Sequence, residues 1–226
     1  MNIKINPYGT ANVFSWTKEY LLSVLISGKS AILTDPLLIN AFRTVDRKDF
    51  VPEKTANMAY GDYEIDIGYS EKLNKPTIIA QMLSYLSPMF GGKYLDVGTG
   101  SGYTAAILGF CAGDAGKVYS IERVQWIWEM ARLNLKKYPN LKNIELLYRD
   151  GSEGLIQKAP FNGIHIAFAD DEIAERLKMQ LSTEGGILVH PTTSNDLKII
   201  TRNDIESFEE KIVSGFIFDK LKVGVA

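Results

Sequence analysis

The chain has 226 residues, 46% hydrophobic and 23% charged, with 25 basic residues against 27 acidic ones and a net charge of -2. That length accommodates one substantial α/β domain with terminal additions, and so balanced a charge gives no footprint for nucleic acid or an anionic membrane surface. A single cysteine, Cys111, excludes an intramolecular disulfide and any multi-cysteine metal site.

In chain order, the first apolar stretch is Tyr20 to Ile26, interrupted by Ser23 and preceded by Lys18 and Glu19. It is too short for a membrane span and lacks the basic start and small-residue cleavage site of a signal peptide, so a cytoplasmic location is expected. Apolar residues at helical spacing (Leu21, Val24, Leu25, then Leu37, Leu38, Ala41, Phe42) predict two helices within residues 11 to 45. Asp35 and Pro36 supply a cap and a first-turn residue for the second. From 46 to 75 the pattern breaks into polar, glycine-containing loop, and Pro76 to Leu86 then reads as a helix.

From Tyr94 onward the chain alternates. Strands are expected at Tyr94 to Val97, Lys117 to Ile121, Ile144 to Tyr148, Ile164 to Ala169 and Gly186 to His190, with helical patterns such as Val124 to Tyr138 and Glu172 to Leu181 between them. Two further pieces, Leu197 to Arg202 and Phe216 to Leu221, are joined by a polar stretch. The rhythm predicts a Rossmann-like, doubly wound, mostly parallel sheet of about seven strands with an antiparallel C-terminal edge, plus N-terminal helices. Residues 1–75 are read as a helical and acceptor-loop segment and 76–226 as the cofactor-binding core, together one structural domain.

In such a sheet, ligands sit at the carboxyl ends of the strands. The first strand opens into Gly98, Thr99, Gly100, Ser101, Gly102, a G-x-G-x-G rather than the dinucleotide G-x-G-x-x-G, with Asp96 two residues before it and an apolar, helix-compatible stretch to Ile107 after it. A carboxylate there would repel a pyrophosphate and suit a cofactor carrying a sulfonium and an ammonium group. Glu122, 24 residues beyond Gly98, ends the second strand and can accept from ribose hydroxyls, and Asp150 ends the third, within reach of an adenine amine. These three strand ends resemble the class I S-adenosylmethionine-dependent methyltransferase pattern. No Asn/Asp-Pro-Pro-aromatic run follows the fourth strand, which disfavours the amino-methylating enzymes that carry it.

Further blocks narrow the resemblance. "VDRKDFVP" (Val45 to Pro52), "AYGD" (Ala59 to Asp62), "LDVGTGSGYTAA" (Leu95 to Ala106), "VYSIER" (Val118 to Arg123), "DGSEGLIQKAPFNGI" (Asp150 to Ile164) and "QLSTEGGILVHP" (Gln180 to Pro191) are similar to the protein-L-isoaspartate O-methyltransferase family, in family order. The resemblance implies a repair enzyme that methylates the free α-carboxyl of isoaspartyl and D-aspartyl residues in damaged proteins, initiating return to aspartate through a succinimide; with no exposed interface marked in the sequence, a monomer is expected. It implies S-adenosylmethionine as cofactor, with Asp96, Gly98, Thr99, Gly100, Gly102, Glu122, Arg123, Asp150 and Gly151 binding it and no metal. A carboxylate is ionised near neutral pH, so no strong base is required, and His165 and His190 are read as core or rim residues.

Departures cluster on the acceptor side. Where the family reads Ile-Gly-x-Gly-Gln-Thr-Ile-Ser-x-Pro, this chain has "IGYSEKLNKP", so Ser70 replaces a glycine, Glu71 the glutamine, Lys72 the threonine, and Asn74 stands at the serine that lies close to the reacting carboxylate. Lys72 or Lys75 offers positive charge to an anionic substrate, and Glu71 opposes it. Asp170, Asp171 and Glu172 replace Ala-Ala-Pro; they suit a helix cap, and if they faced the pocket they would repel a carboxylate. Three alternatives stand: an isoaspartyl methyltransferase with a variant loop, a relative acting on a different carboxylate or small molecule, or a non-catalytic cofactor-binding protein.

Overall fold

The computed structural model describes residues 16–28 and 31–216. Seven strands form the main sheet: β3 (Lys93–Val97), β4 (Lys117–Glu122), β5 (Ile144–Tyr148), β6 (Gly163–Ile166), β7 (Gly186–Pro191), β8 (Asp196–Arg202) and β9 (Phe208–Ser214), after a separate hairpin of β1 (Ile65–Gly68) and β2 (Glu71–Leu73). Their order is β5-β4-β3-β6-β7-β8-β9. The first five are parallel and the last two add as an antiparallel meander. The expected sheet is therefore present, with its topological switch at β3, where the chain departs first to β4 and later to β6.

Helices α3 (Pro76–Leu86), α4 (Tyr103–Ala112) and α5 (Gln125–Leu135) fall close to the expected stretches. The last predicted helix, Glu172 to Leu181, is shorter, α6 (Ile173–Leu177) continued by a 3-10 turn over Lys178–Gln180. Before them lie α1 (Lys18–Ile26) and α2 (Pro36–Thr44), the latter capped by Asp35, whose side chain accepts from the Leu37 amide at 2.9 Å. One apolar cluster joins these helices to the sheet: Leu21, Leu25, Leu38 and Phe42 pack with Ile79, Leu83, Tyr103 and Val189. Cys111 is buried within it, a small apolar filler rather than a nucleophile. A second cluster on the opposite face joins Leu95, Val97 and Ile121 to Ile173 and Leu177 of α6. No helix among the described residues is long and apolar enough to cross a membrane.

Two expectations need correction. The stretch 46 to 75 is not only loop, because Ile65, Ile67 and Leu73 alternate into the core and pair as the β1–β2 hairpin. The last strand is Phe208–Ser214, inside the segment read as a polar join, and the expected strand from Phe216 to Leu221 lies, apart from Phe216, outside the described residues. β9 is mostly exposed on both faces, so burial left no apolar alternation in its sequence; its ladder to β8 and a 2.8 Å pair between Lys198 and Glu210 hold it.

At the hairpin tip, Tyr69 and Ser70 both take the left-handed conformation, with φ of 55° and 59°. Ser70 occupies the place where the family resemblance has glycine, and an L side chain is strained there. Ser70→Gly is expected to raise stability by about 0.5–1 kcal/mol in urea titration, relief of strain being partly offset by the greater freedom of unfolded glycine. Leu25, fully buried, tests whether α1 belongs to the core. Leu25→Ala is expected to cost about 2–4 kcal/mol, whereas a helix merely resting on the surface would lose under about 1.

Candidate active site at the carboxyl ends of the strands

A cleft of about 820 Å³, counting its open mouth, lies where β3, β4, β5 and β6 end. Its floor is Val97 and Gly98 after β3, Ile121, Glu122 and Arg123 at β4, Arg149, Asp150 and Gly151 after β5, and Ala167 and Phe168 after β6. The hairpin and the residue after it close the remaining side with Ile67, Glu71, Lys72 and Asn74. Six of the nine predicted cofactor residues, Gly98, Gly100, Glu122, Arg123, Asp150 and Gly151, thus meet the predicted acceptor position Asn74 in one cavity.

Glycines shape the floor by two different means. Gly98 and Gly100 have φ of +94° and +54°, and a Cβ on Gly98 would lie 3.0 Å from that of Ala167. Gly151 has no such dihedral; a Cβ there would strike Val97 Cγ1 at 2.6 Å. The turn is cinched to β4 by main-chain bonds, the amides of Gly98 and Thr99 both donating to the Ile121 carbonyl at 3.0 Å.

Glu122 completes that attachment. Its Oε2 accepts from the Gly100 amide at 3.0 Å, and its Oε1 from the amides of Arg123 at 2.8 Å and Val124 at 2.9 Å. Burial pushes its carboxyl above the usual carboxylate range, against the pull of those three amides, and the Glu71 charge adds to the rise. Two carboxylate oxygens offer about four acceptor sites, so three amides leave room for a hydroxyl donor. Asp150 Oδ1 accepts from the Ser152 amide at 2.8 Å and turns the chain after β5 into the cleft wall.

Three predicted residues do not line the cleft. Asp96 is fully buried and spends its carboxylate sideways, Oδ2 accepting from Ser120 Oγ at 2.7 Å and Oδ1 bonding His165 Nδ1 at 2.8 Å. Its expected role facing a cationic ligand is therefore replaced by bracing three neighbouring strands. Thr99 continues the chain, its hydroxyl 2.6 Å from Ser120 Oγ. Gly102, at φ +91°, starts α4 and would place a Cβ 3.4 Å from that of Ala131, so it permits close approach of α5. His165 and His190 are 2% and 1% exposed and neither lines the cleft, as expected of core residues.

The acids after β6 turn away as well. Asp170 Oδ1 accepts from the amides of Glu172 and Ile173, both at 2.8 Å, a side-chain turn leading into α6, and Asp171 binds the amide and hydroxyl of Thr193. The cleft receives Ala167 and Phe168 from that strand end instead. Lys72 is paired with Glu64 at 3.2 Å, and Lys75 does not line the cavity. Sequence reasoning missed Ile67 and Phe168; Phe168 falls within a strand expected to run to Ala169, whereas β6 ends at Ile166 and leaves Phe168 at the switch point, where such a residue is to be sought.

The cleft suits the sulfonium cofactor in shape and in donor set. Its floor is free of side chains at Gly98, Gly100 and Gly151, its walls are apolar at Ile67, Val97, Ile121 and Phe168, and Glu122 and Asp150 supply acceptors at two strand ends.

Comparison with known proteins agrees with this arrangement. Residues 17–223 match the family protein-L-isoaspartate(D-aspartate) O-methyltransferase (PCMT). Among curated relatives, the protein-L-isoaspartate O-methyltransferase of Methanospirillum hungatei is 40% identical over 168 residues, 74% of this chain and 76% of that protein. That of Methanothrix thermoacetophila is 38% identical over 168 residues, 74% of this chain and 79% of that protein. In fold, the chain is similar to a Plasmodium falciparum crystal structure described as a protein-L-isoaspartate O-methyltransferase in complex with S-adenosyl-L-homocysteine, at a TM-score of 0.78 and 24% identity, covering 91% of this chain and 97% of that one. By sequence across most of its length, the chain belongs to the protein-L-isoaspartate(D-aspartate) O-methyltransferase family.

Proposed function

We propose that the protein transfers a methyl group from S-adenosylmethionine to the free α-carboxyl of isoaspartyl residues in damaged proteins. The observation that carries the reading is the meeting of Asn74 with Gly98, Glu122 and Asp150 on one cleft, in a chain of this family. In the resulting ester, methoxide leaves far more readily than oxide would from a carboxylate, so the neighbouring backbone amide nitrogen displaces it as methanol and closes a succinimide, and water reopens part of that ring to ordinary aspartate.

Gly98, Gly100 and Gly151 let the cofactor approach the backbone, Glu122 takes a ribose hydroxyl, and Asp150 takes a donor from the base. Bound there, S-adenosylmethionine supplies a methyl group on a cationic sulfur that leaves as a neutral thioether when a carboxylate oxygen takes the methyl. The acceptor is already ionised near neutral pH, so the chain has no proton to move at that oxygen. Its task is orientation and exclusion of water. Asn74 donates its side-chain amide to one carboxylate oxygen, in place of a serine hydroxyl, and Ile67 and Phe168 keep the space dry. With Asp170 and Asp171 committed to backbone and to Thr193, the acids that would have repelled the substrate are out of its path.

Incubation with labelled S-adenosylmethionine and matched isoaspartyl and aspartyl peptides is expected to place base-labile methyl ester on the isoaspartyl peptide alone. Asn74→Ala should lower that rate by about 10-fold to 100-fold, the loss of one hydrogen bond to a charged group, while Asn74→Ser retains it. Transfer to neither peptide by a protein that binds the cofactor would move the acceptor to another carboxylate.

Glu122→Gln is expected to weaken cofactor binding by about tenfold in calorimetry, which is about 1.4 kcal/mol and close to the low end for a hydrogen bond to a charged group. The Glu122 carboxyl sits above its ordinary range, and its charged form is the better acceptor. Affinity in the unsubstituted protein should accordingly fall as pH is lowered through that raised value, and the fall should be absent in Glu122→Gln.

A further inference from the structure

Beneath the acceptor loop lies a buried cation that the mechanism above does not use. Arg47 opens a 3-10 turn, Arg47–Phe50, and is 2% exposed. Its Nε donates to the Ala59 carbonyl at 2.8 Å and its Nη2 to the Asn74 carbonyl at 2.8 Å. One planar side chain thereby ties together both ends of residues 59–74, the segment that carries the β1–β2 hairpin. On its other side the guanidinium carbon stands 5.6 Å from the centre of the Tyr103 ring. Tyr103 is the first residue of α4, directly after Gly102, and is itself packed against Phe42 and Phe50 at ring separations of 6.2 and 5.4 Å.

We propose that Arg47 is a positioning residue for methyl transfer, holding the main chain of Asn74 at a fixed place over the glycine turn. The inference rests on the reading of Asn74 as the acceptor position. The geometry requires an arginine: two carbonyls 15 residues apart in sequence are met by two nitrogens of a rigid fork, and a lysine ammonium on its flexible stem does not reproduce that pair. Burial brings the guanidinium down to about 10, which leaves it charged at neutral pH, and the Tyr103 ring face supplies a neighbour that a cation favours. Because Tyr103 starts the helix that follows the glycine turn, acceptor loop and cofactor turn share one support. A shift of about 1 Å in Asn74 is of the size that costs on the order of 100-fold in rate without altering binding of the cofactor.

The test is Arg47→Lys, followed by calorimetry with S-adenosylmethionine, initial rates on the isoaspartyl peptide, and amide exchange read by mass spectrometry. Expected are a fall in kcat of about 10-fold to 100-fold, a cofactor Kd within about threefold at unchanged stoichiometry, and faster exchange confined to residues 60–74 while α3 and β3 keep their protection. Unchanged kcat and exchange would overturn the proposal. So would equal losses of kcat and of cofactor stoichiometry, which mark a merely structural residue. Should Arg47→Lys fail to fold by circular dichroism, exchange in the unsubstituted protein decides: Ile65 to Leu73 must be protected at the level of α3, and exchange at free-loop rates would overturn the clamp. If the unsubstituted protein methylates no isoaspartyl peptide, the substrate reading fails on its own, and the exchange comparison still judges Arg47.

Discussion

The Glu122 carboxylate, buried at the end of β4, takes the amide of Gly100 from across the strand boundary together with the amides of Arg123 and Val124 that follow it. Those bonds, with the two amides that converge on the Ile121 carbonyl, set the path of the glycine turn and hence the direction in which α4 leaves the sheet. From α4 the consequences spread outward. Its first residue, Tyr103, is the surface on which Phe42, Phe50 and Arg47 pack, so the N-terminal segment is seated by the same turn that shapes the cleft floor.

Behind the turn runs a second set of polar contacts that never reaches the ligand. Thr99, Ser120, Asp96 and His165 form an unbroken chain of side-chain contacts of 2.6 to 2.8 Å across β4, β3 and β6. All four are buried, so each depends on the next for satisfaction of its polar atoms. The chain registers three parallel strands at their carboxyl ends, where a sheet opens to receive a ligand and has fewer helix contacts to hold it.

How much of this was legible before folding follows from what is local. The β3 turn and α4 were, since an apolar run, three glycines and a helical stretch stand in sequence, and the strand ends at Glu122 and Asp150 fell where a ligand would be met. The side on which Asp96 spends its charge was not. Asp96 lies in register with Ser120 on one neighbour and His165 on the other, and register between strands joined by long crossovers has no signature in the strands themselves. The β1–β2 hairpin was hidden for another reason. Its strands have four and three residues, too few for alternation to stand out from loop, and its tip uses Tyr69 and Ser70 where glycine would have announced a turn. Arg47 belongs to a block that was read for ancestry; that it reaches two distant carbonyls depends on both ends of the loop arriving together.

The far side of the sheet has its own physical requirement. Among the described residues β9 forms an open edge, a row of unpaired amides and carbonyls of the kind that templates a further strand. That row carries Glu209, Glu210 and Lys211, all exposed, with Glu210 tied back to Lys198 on β8. A β9 from a second copy, aligned antiparallel along the whole strand, would set Lys211 against Lys211 and Glu209 and Glu210 against Val213 and Ile212, and would have to strip water from those charges. Charges on the strand at the end of the sheet thus oppose its extension by a further strand.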